Sequence, residues 1–250
     1  MKRFGLTGFP LSHSFSATYF AEKFAASGLM SVSYSNYPVE SAAAIRQLFE
    51  NDRSLCGLNV TIPYKTEVIP FLDALDSVAG EIGAVNVIKA YIEAKRIVLK
   101  GFNTDWHGFT ESLPVDIRNG GGNALVLGTG GASLAVRFAL CRLGFEVVTI
   151  SRKSREGILS YDELTGDKIA GAVLIVNTTP LGMFPEISLS PPLDYNFISK
   201  GTLLYDLVYN PAETLFLKEG IARGCRVING QKMLELQAER AWEIWTDESV

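Results

Sequence analysis

The chain has 250 residues, 47% of them apolar and 20% charged, with a formal net charge of −4. That length suits one large domain or two small ones, and the composition is that of an ordinary soluble globular protein. Mild acidity leaves no electrostatic footprint for nucleic acid. There is no apolar signal segment and no apolar run of membrane-spanning length, so the expectation is a cytoplasmic protein with no membrane partner. The two histidines, His13 and His107, are too few for a His-rich metal site, and no metal is expected. The three cysteines, Cys56, Cys141 and Cys225, are widely spaced in apolar stretches. They fit no disulfide or zinc pattern and suggest a reducing compartment.

In chain order, residues 3–8 read as a short buried strand and 9–14 as a loop. Ser16 reads as the cap of a helix whose apolar face carries Tyr19, Phe20 and Phe24 and which ends near Gly28. Residues 32–37 alternate like a strand, and Ser41 reads as the cap of a helix through Ile45, Leu48 and Phe49. Residues 55–61 form another strand, cut off by Pro63; a helix over about 65–72 and a shorter one near Val78 follow. Residues 84–89 are strand-like, and Tyr91-Ile92 with Ile97-Val98-Leu99 form an edge hairpin that turns at Ala94-Lys95. Strand alternating with helix predicts a mostly parallel sheet.

Residues 106–113 read as helical and 114–122 as a polar, glycine-ending connector, where a domain boundary is placed. The apolar run Leu125-Val126-Leu127 stops at Gly128-Thr129-Gly130-Gly131-Ala132-Ser133. A helical pattern through Leu134, Phe138 and Leu140 follows, ends at Gly144, and gives way to the apolar run Val147-Val148-Thr149-Ile150. Strand, glycine turn, helix and strand within about thirty residues is a dinucleotide-binding signature. The glycines let the backbone turn sharply and approach a ligand, and the helix N-terminus offers free N–H groups to a pyrophosphate. Further strands are expected over 172–177, 203–207 and 226–228, with a helix over 211–223 that has Pro211 in its first turn. A last helix over 231–245 carries Met233, Leu234, Leu236, Ala241, Trp242 and Trp245 as apolar surface, suited to packing back on the first domain.

Ligands of open α/β sheets bind outside the carboxyl ends of strands. Four polar clusters fall at such places: Ser12-His13-Ser14-Phe15-Ser16, Asn59-Val60-Thr61-Ile62-Pro63-Tyr64-Lys65, Gly83-Ala84-Val85-Asn86 and Asn103-Thr104-Asp105. Together they supply hydroxyls, amides, one ammonium and one carboxylate, an inventory for a small polyhydroxylated substrate with Lys65 and Asp105 as proton-transfer candidates. The plainer reading makes Asn59, Asn86 and Asn103 turn residues, Ser14 and Ser16 helix caps, and Lys65 a solvated lysine.

These clusters, with Gly8-Phe9-Pro10-Leu11 before the first of them and Gly101-Phe102 before the last, resemble the motifs of the shikimate dehydrogenase family. So do Gly128-Thr129-Gly130-Gly131-Ala132, Asn177-Thr178-Thr179-Pro180-Leu181-Gly182-Met183, Asp206-Leu207-Val208-Tyr209-Asn210-Pro211 and Asn229-Gly230-Gln231-Lys232-Met233-Leu234 with Gln237 beyond. The matches run in the family's order along nearly the whole chain. The resemblance implies an α/β protein of two domains. Residues 1–105 would form a mostly parallel substrate-binding and catalytic domain, 106–230 a Rossmann-type NADP-binding domain, and 231–250 a helix returning to the first. It implies NADP-dependent interconversion of 3-dehydroshikimate and shikimate, in the chorismate and aromatic amino acid pathway, by a monomer or homodimer.

Carried over residue by residue, Lys65 and Asp105 would be the catalytic pair, and Ser14, Ser16, Asn59, Thr61, Asn86, Tyr209 and Gln237 would line the substrate site. Gly128, Gly130, Gly131 and Ala132 would hold the pyrophosphate, and Thr178, Leu207 and Gly230 would lie by the cofactor. The chain departs from the family's usual residues at Ala17, Thr129 and Ser151, and the last of these touches the adenosine-phosphate end. There, Ser151-Arg152-Lys153-Ser154-Arg155 stands about twenty residues past the glycines, where an NAD site usually carries an acidic residue. Hydroxyl and guanidinium groups instead suit a 2′-phosphate, with Arg152 the principal contact and Lys153 or Arg155 secondary. His13 falls in a family motif, and His107 reads as structural. A quinate/shikimate dehydrogenase and a non-catalytic nucleotide-binding regulator on the same fold are the alternatives; the intact Lys65 and Asp105 argue against the regulator.

Overall fold

The computed structural model describes residues 1–11 and 15–247. The chain divides into two compact units, Met1–Thr104 with Ala238–Val250, and Asp105–Gln237.

The first unit contains β1 (Lys2–Gly8), α1 (Phe15–Ala26), β2 (Val32–Pro38), α2 (Ala43–Asn51), β3 (Leu55–Val60), β4 (Ala74–Leu75), α3 (Ser77–Ile82), β5 (Val87–Glu93) and β6 (Arg96–Phe102). Its sheet has the order β2-β1-β3-β5-β6-β4. β1 pairs in parallel with both β2 and β3, and β4 with β6, while β5 runs antiparallel to β3 and to β6. The β5–β6 hairpin turns at Ala94 and Lys95 with φ of 48° and 67°. Two successive left-handed residues match the right-handed strand twist.

One face of this sheet buries Ile45, Phe49, Leu58, Val68, Ile88 and Leu99. The other buries Phe4, Phe20, Phe24 and Trp245, the last contributed by the C-terminal helix. Gly57 makes this possible: a Cβ there would lie 2.2 Å from the Trp245 Nε1. The bare backbone lets the indole lie on the sheet and donate to the Ile88 carbonyl at 3.0 Å. Burial of each large apolar side chain stabilises the unit by roughly 1.5–3 kcal/mol.

Three expectations fail here. Ser16 is a buried second residue of α1 and not its cap. Ser41 is not the N-cap of α2; Ala42 holds that position, with no side-chain capping bond. Residues 65–72 make turns and one 3₁₀ segment, Ile69–Phe71, instead of an α-helix. Val68 N–H reaches the Tyr64 carbonyl at 3.0 Å, but Pro70 lacks an N–H and its ring opposes a second α-turn.

The second unit contains α4 (Asp105–Ser112), α5 (Val115–Arg118), β7 (Gly122–Leu127), α6 (Gly131–Arg142), β8 (Phe145–Ser151), β9 (Ile158–Ser160), α7 (Gly166–Ala170), β10 (Ala172–Asn177), β11 (Leu203–Asp206), α8 (Leu215–Ala222), β12 (Arg226–Ile228) and α9 (Gln231–Thr246). Helix α9 passes from this unit into the first after Gln237. The sheet order is β12-β11-β10-β7-β8-β9, with every pairing parallel. Counted from β7 this is the 3-2-1-4-5-6 order of a doubly wound Rossmann sheet, whose switch point lies between β7 and β10.

Strand β9 and helix α7 escape a reading by periodicity because each is at most five residues long. The helix expected from residue 211 begins only at Leu215, because the Thr214 hydroxyl caps it by accepting the Leu217 N–H at 3.4 Å. Cys141, expected in apolar surroundings, is exposed near the end of α6.

Candidate active site

The carboxyl ends of β1, β3 and β6 in the first unit gather the polar clusters. The Thr61 N–H donates to the Thr7 carbonyl at 2.9 Å, which seats Thr61 beside β1. Asn86 is 2% exposed and fully engaged. Its backbone N–H donates to Phe102, and its carbonyl accepts the Val60 N–H at 2.8 Å. Its amide oxygen accepts the Thr104 N–H at 2.6 Å, and its Nδ2 donates to the Thr104 hydroxyl at 3.0 Å. Asn59 Nδ2 donates to the Asn86 carbonyl at 3.5 Å, and Asn103 Nδ2 to the Ala84 carbonyl at 2.9 Å. The Val85 N–H donates to the Lys65 carbonyl at 2.7 Å, which brings half-buried Lys65 alongside the residue preceding Asn86. Asn59, Thr61, Lys65, Asn86 and Asn103 are therefore neighbours. The asparagines act as cross-links between strand ends more than as simple turn residues. Ser16 joins them through Tyr34, whose hydroxyl is hydrogen-bonded to it and donates to Asn59 Oδ1 at 2.8 Å. Ser14 and His13 lie outside the described residues.

In the second unit Asp105 is buried in the first turn of α4, a position where the helix dipole favours a carboxylate. One turn on, a Cβ at Gly108 would lie 2.6 Å from the Met233 carbonyl and 3.0 Å from Gln237 Cβ, so α4 and α9 approach backbone to backbone. Asp105 and buried Gln237 thus stand on two helices in contact. Tyr209 is half-buried, and burial pushes its phenol up from the ordinary value. His107 is half-buried beside Trp106.

At the switch point, Gly128 has φ of 115°, and a Cβ on it would strike the Thr178 hydroxyl at 2.6 Å. Thr178 donates to the Leu127 carbonyl through both its N–H (2.9 Å) and its hydroxyl (2.7 Å). Gly130 caps α6, and a Cβ there would meet nothing within 4 Å. The Ser133 hydroxyl ties the turn back by donating to the Gly128 carbonyl at 2.7 Å. A closed floor, an open space and a twelve-residue helix beginning at Gly131 form a cradle that fits a pyrophosphate. Ala132 lies in the first turn of the helix. Ser151 ends β8, the neighbouring strand, and Arg152, Lys153 and Arg155 follow it exposed, as phosphate contacts require. Across β10, Leu207 and Gly230 meet: the Leu207 N–H donates to the Asn177 carbonyl at 2.9 Å, and the Gly230 N–H to the Val208 carbonyl at 3.1 Å.

A buried carboxylate, Asp206, ends β11; in the sequence it heads a family motif but carries no assigned role. It accepts from Asn177 Nδ2 at 2.9 Å, the Val208 N–H at 3.0 Å and the Thr214 hydroxyl at 2.6 Å. Burial pushes its pKa up to about 6 against the pull of these three donors. Asn177 Oδ1 in turn accepts the Thr179 N–H at 3.0 Å. One network thus fixes the loops that follow β10 and β11. A carboxylate closing the apolar run Leu203-Leu204-Tyr205 was the available signal. Among the described residues, no group of three or more His, Cys, Asp or Glu could hold a metal ion, and no helix is long and apolar enough to cross a membrane.

The fold and these clusters define a class, the two-domain α/β oxidoreductases with a Rossmann-type unit. A family model described as the shikimate dehydrogenase substrate binding domain matches residues 6–88. The chain is 39% identical over 262 residues to the shikimate dehydrogenase (NADP(+)) of Moorella thermoacetica, with 96% of this chain and 86% of that protein covered. It is 38% identical to the enzyme of the same name from Carboxydothermus hydrogenoformans, with coverages of 97% and 90%. The crystal structure of shikimate 5-dehydrogenase from Thermus thermophilus in complex with NADP(H) and shikimate superposes with a TM-score of 0.84 at 34% identity, covering 98% of this chain and 94% of that one. This chain belongs to the shikimate dehydrogenase family.

Proposed function

We propose that this protein catalyses the reversible, NADP-linked reduction of 3-dehydroshikimate to shikimate. The observation that carries the reading is the convergence of Asn59, Thr61, Lys65 and Asn86 at the strand ends of the first unit, in a chain of this family. The first unit supplies most of the substrate groups, and the second supplies Asp105, Tyr209 and Gln237 and binds the dinucleotide. Bound at the switch point, the oxidised nicotinamide supplies a hydride acceptor.

The protein's own residues handle the proton and the orientation. Lys65 takes the proton of the hydroxyl being oxidised and returns it to the ketone oxygen in the reverse direction, with Asp105 as its partner. Ser14 and Ser16 bind the substrate carboxylate. Asn59, Thr61, Asn86, Tyr209 and Gln237 engage the ring hydroxyls, whose several directions need several donors and acceptors. Gly128, Gly130, Gly131 and Ala132 receive the pyrophosphate. Ser151, Arg152, Lys153 and Arg155 receive the 2′-phosphate, and Thr178, Leu207 and Gly230 flank the cofactor. The three free cysteines suit a reducing cytoplasm. The absorbance of reduced nicotinamide tests the reaction: it should rise when protein, shikimate and NADP are mixed, and no rise at any pH sinks the proposal.

A further inference from the structure

Tyr34 is the third residue of β2 and belongs to none of the motifs above. Its ring is packed on apolar neighbours. It stacks on Phe20 with centroids 4.5 Å apart and an interplanar angle of 17°, and it stands 6.4 Å from Trp245. Its hydroxyl reaches the polar cluster instead, donating to Asn59 Oδ1 at 2.8 Å and bonding the Ser16 side chain. A phenol has one proton, so with that proton given to Asn59, Ser16 is the donor in the second bond until a substrate carboxylate takes its proton. Ser16 comes from α1 and Asn59 from β3, both are buried, and Tyr34 bonds both. Burial keeps the phenol protonated well above its ordinary range.

We propose that Tyr34 is a positioning residue of the substrate site, holding the Asn59 amide in its working orientation without itself touching substrate. The proposal rests on the reading that Asn59 binds shikimate. With Oδ1 occupied by Tyr34, the end of Asn59 turned to a ligand is Nδ2. Its bond to the Asn86 carbonyl is long, at 3.5 Å, so Nδ2 has a proton to give to a substrate oxygen. Without the phenol hydroxyl the amide is free to turn over and present its oxygen. Phenylalanine at this position would keep the stacking and lose both bonds.

The experiment compares the protein with Tyr34→Phe, Asn59→Ala and the double variant, reading the KM for shikimate, the KM for NADP, kcat and the thermal midpoint. A lost hydrogen bond in a site of this kind costs about five- to thirtyfold in affinity. Tyr34→Phe should raise the shikimate KM by that factor, keep the NADP KM within about twofold, and add little to Asn59→Ala, because both changes remove the Tyr34–Asn59 contact through which Tyr34 acts on substrate. Two results overturn the proposal while leaving the substrate site standing. One is an unchanged shikimate KM in Tyr34→Phe when Asn59→Ala raises it. The other is an equal rise in both KM values with a lowered midpoint, the mark of a structural role. If Asn59→Ala itself leaves the shikimate KM unchanged, the assignment of the site falls and the role of Tyr34 falls with it.

Discussion

Gly230 lies against the backbone of Leu207: a Cβ on Gly230 would sit 2.0 Å from the Leu207 carbonyl oxygen and 2.6 Å from its carbon. The obstacle is main chain at the end of β11, so it cannot swing aside as a flexible side chain would. Gly230→Ala should displace the start of α9 and destabilise the protein by about 1–3 kcal/mol, the usual cost of overpacking. Because both residues flank the proposed cofactor site, its KM for NADP should rise more than its KM for shikimate. Urea unfolding and steady-state kinetics check this, and a Gly230→Ala protein of unaltered stability would contradict the close approach.

Arg152 is exposed at the end of β8, where it has charge and reach for a phosphate. A charge-assisted hydrogen bond contributes about 1.5–3 kcal/mol, so Arg152→Ala should weaken NADP binding roughly ten- to a hundredfold. NAD lacks the 2′-phosphate, so its binding should hardly change. Titration of both nucleotides against both proteins tests the assignment. An equal loss for the two would place Arg152 elsewhere on the cofactor.

General acid–base groups contribute about 10²- to 10⁴-fold to rate. Lys65→Met and Asp105→Asn should each lower kcat on that scale while the far-ultraviolet spectrum stays that of the parent. Near-normal turnover by Lys65→Met would mean that another group moves the proton.

Asp206 has its pKa raised from 3.8 to about 6 by burial, the opposite of a salt-bridged carboxylate. Between those values the folded chain holds a proton that the unfolded chain has already released. Stability from this group is therefore greatest below about pH 4, falls as pH rises to about 6, and is level above that. A shift of this size corresponds to roughly 3 kcal/mol. Asp206→Asn should flatten that part of the stability curve relative to the parent, measured as denaturant midpoints from pH 4 to 7. Parallel curves for the two proteins would show that the carboxyl titrates normally.

The parts of this molecule legible in its sequence are those written in short-range chemistry. Gly128, Gly130 and Gly131 between two apolar runs specify a turn and a helix start whatever lies around them, and Asn59, Asn86 and Asn103 mark strand ends. The helix expected over residues 65–72 failed because apolar spacing alone does not register the missing N–H of Pro70. Ser16 reads as a cap by type but lies inside α1, as a buried group bonded to Tyr34. The roles of Tyr34 and Asp206 stayed hidden for a different reason. A tyrosine in an alternating strand and a carboxylate after an apolar run look ordinary until the fold brings Ser16, Asn59, Asn177 and Thr214 to them.

Substrate and cofactor are decided together by kcat/KM for shikimate and quinate, each measured with NADP and with NAD by the absorbance of reduced nicotinamide. Quinate carries an extra hydroxyl on the carboxylate-bearing carbon, the end assigned to Ser14 and Ser16. A polar mismatch there costs about 1–3 kcal/mol. Shikimate with NADP should be the best pair, at least about tenfold above quinate with NADP, or ~1.4 kcal/mol in the transition state. A quinate value equal to or above the shikimate value, or equal kinetics with NAD and NADP, would contradict it.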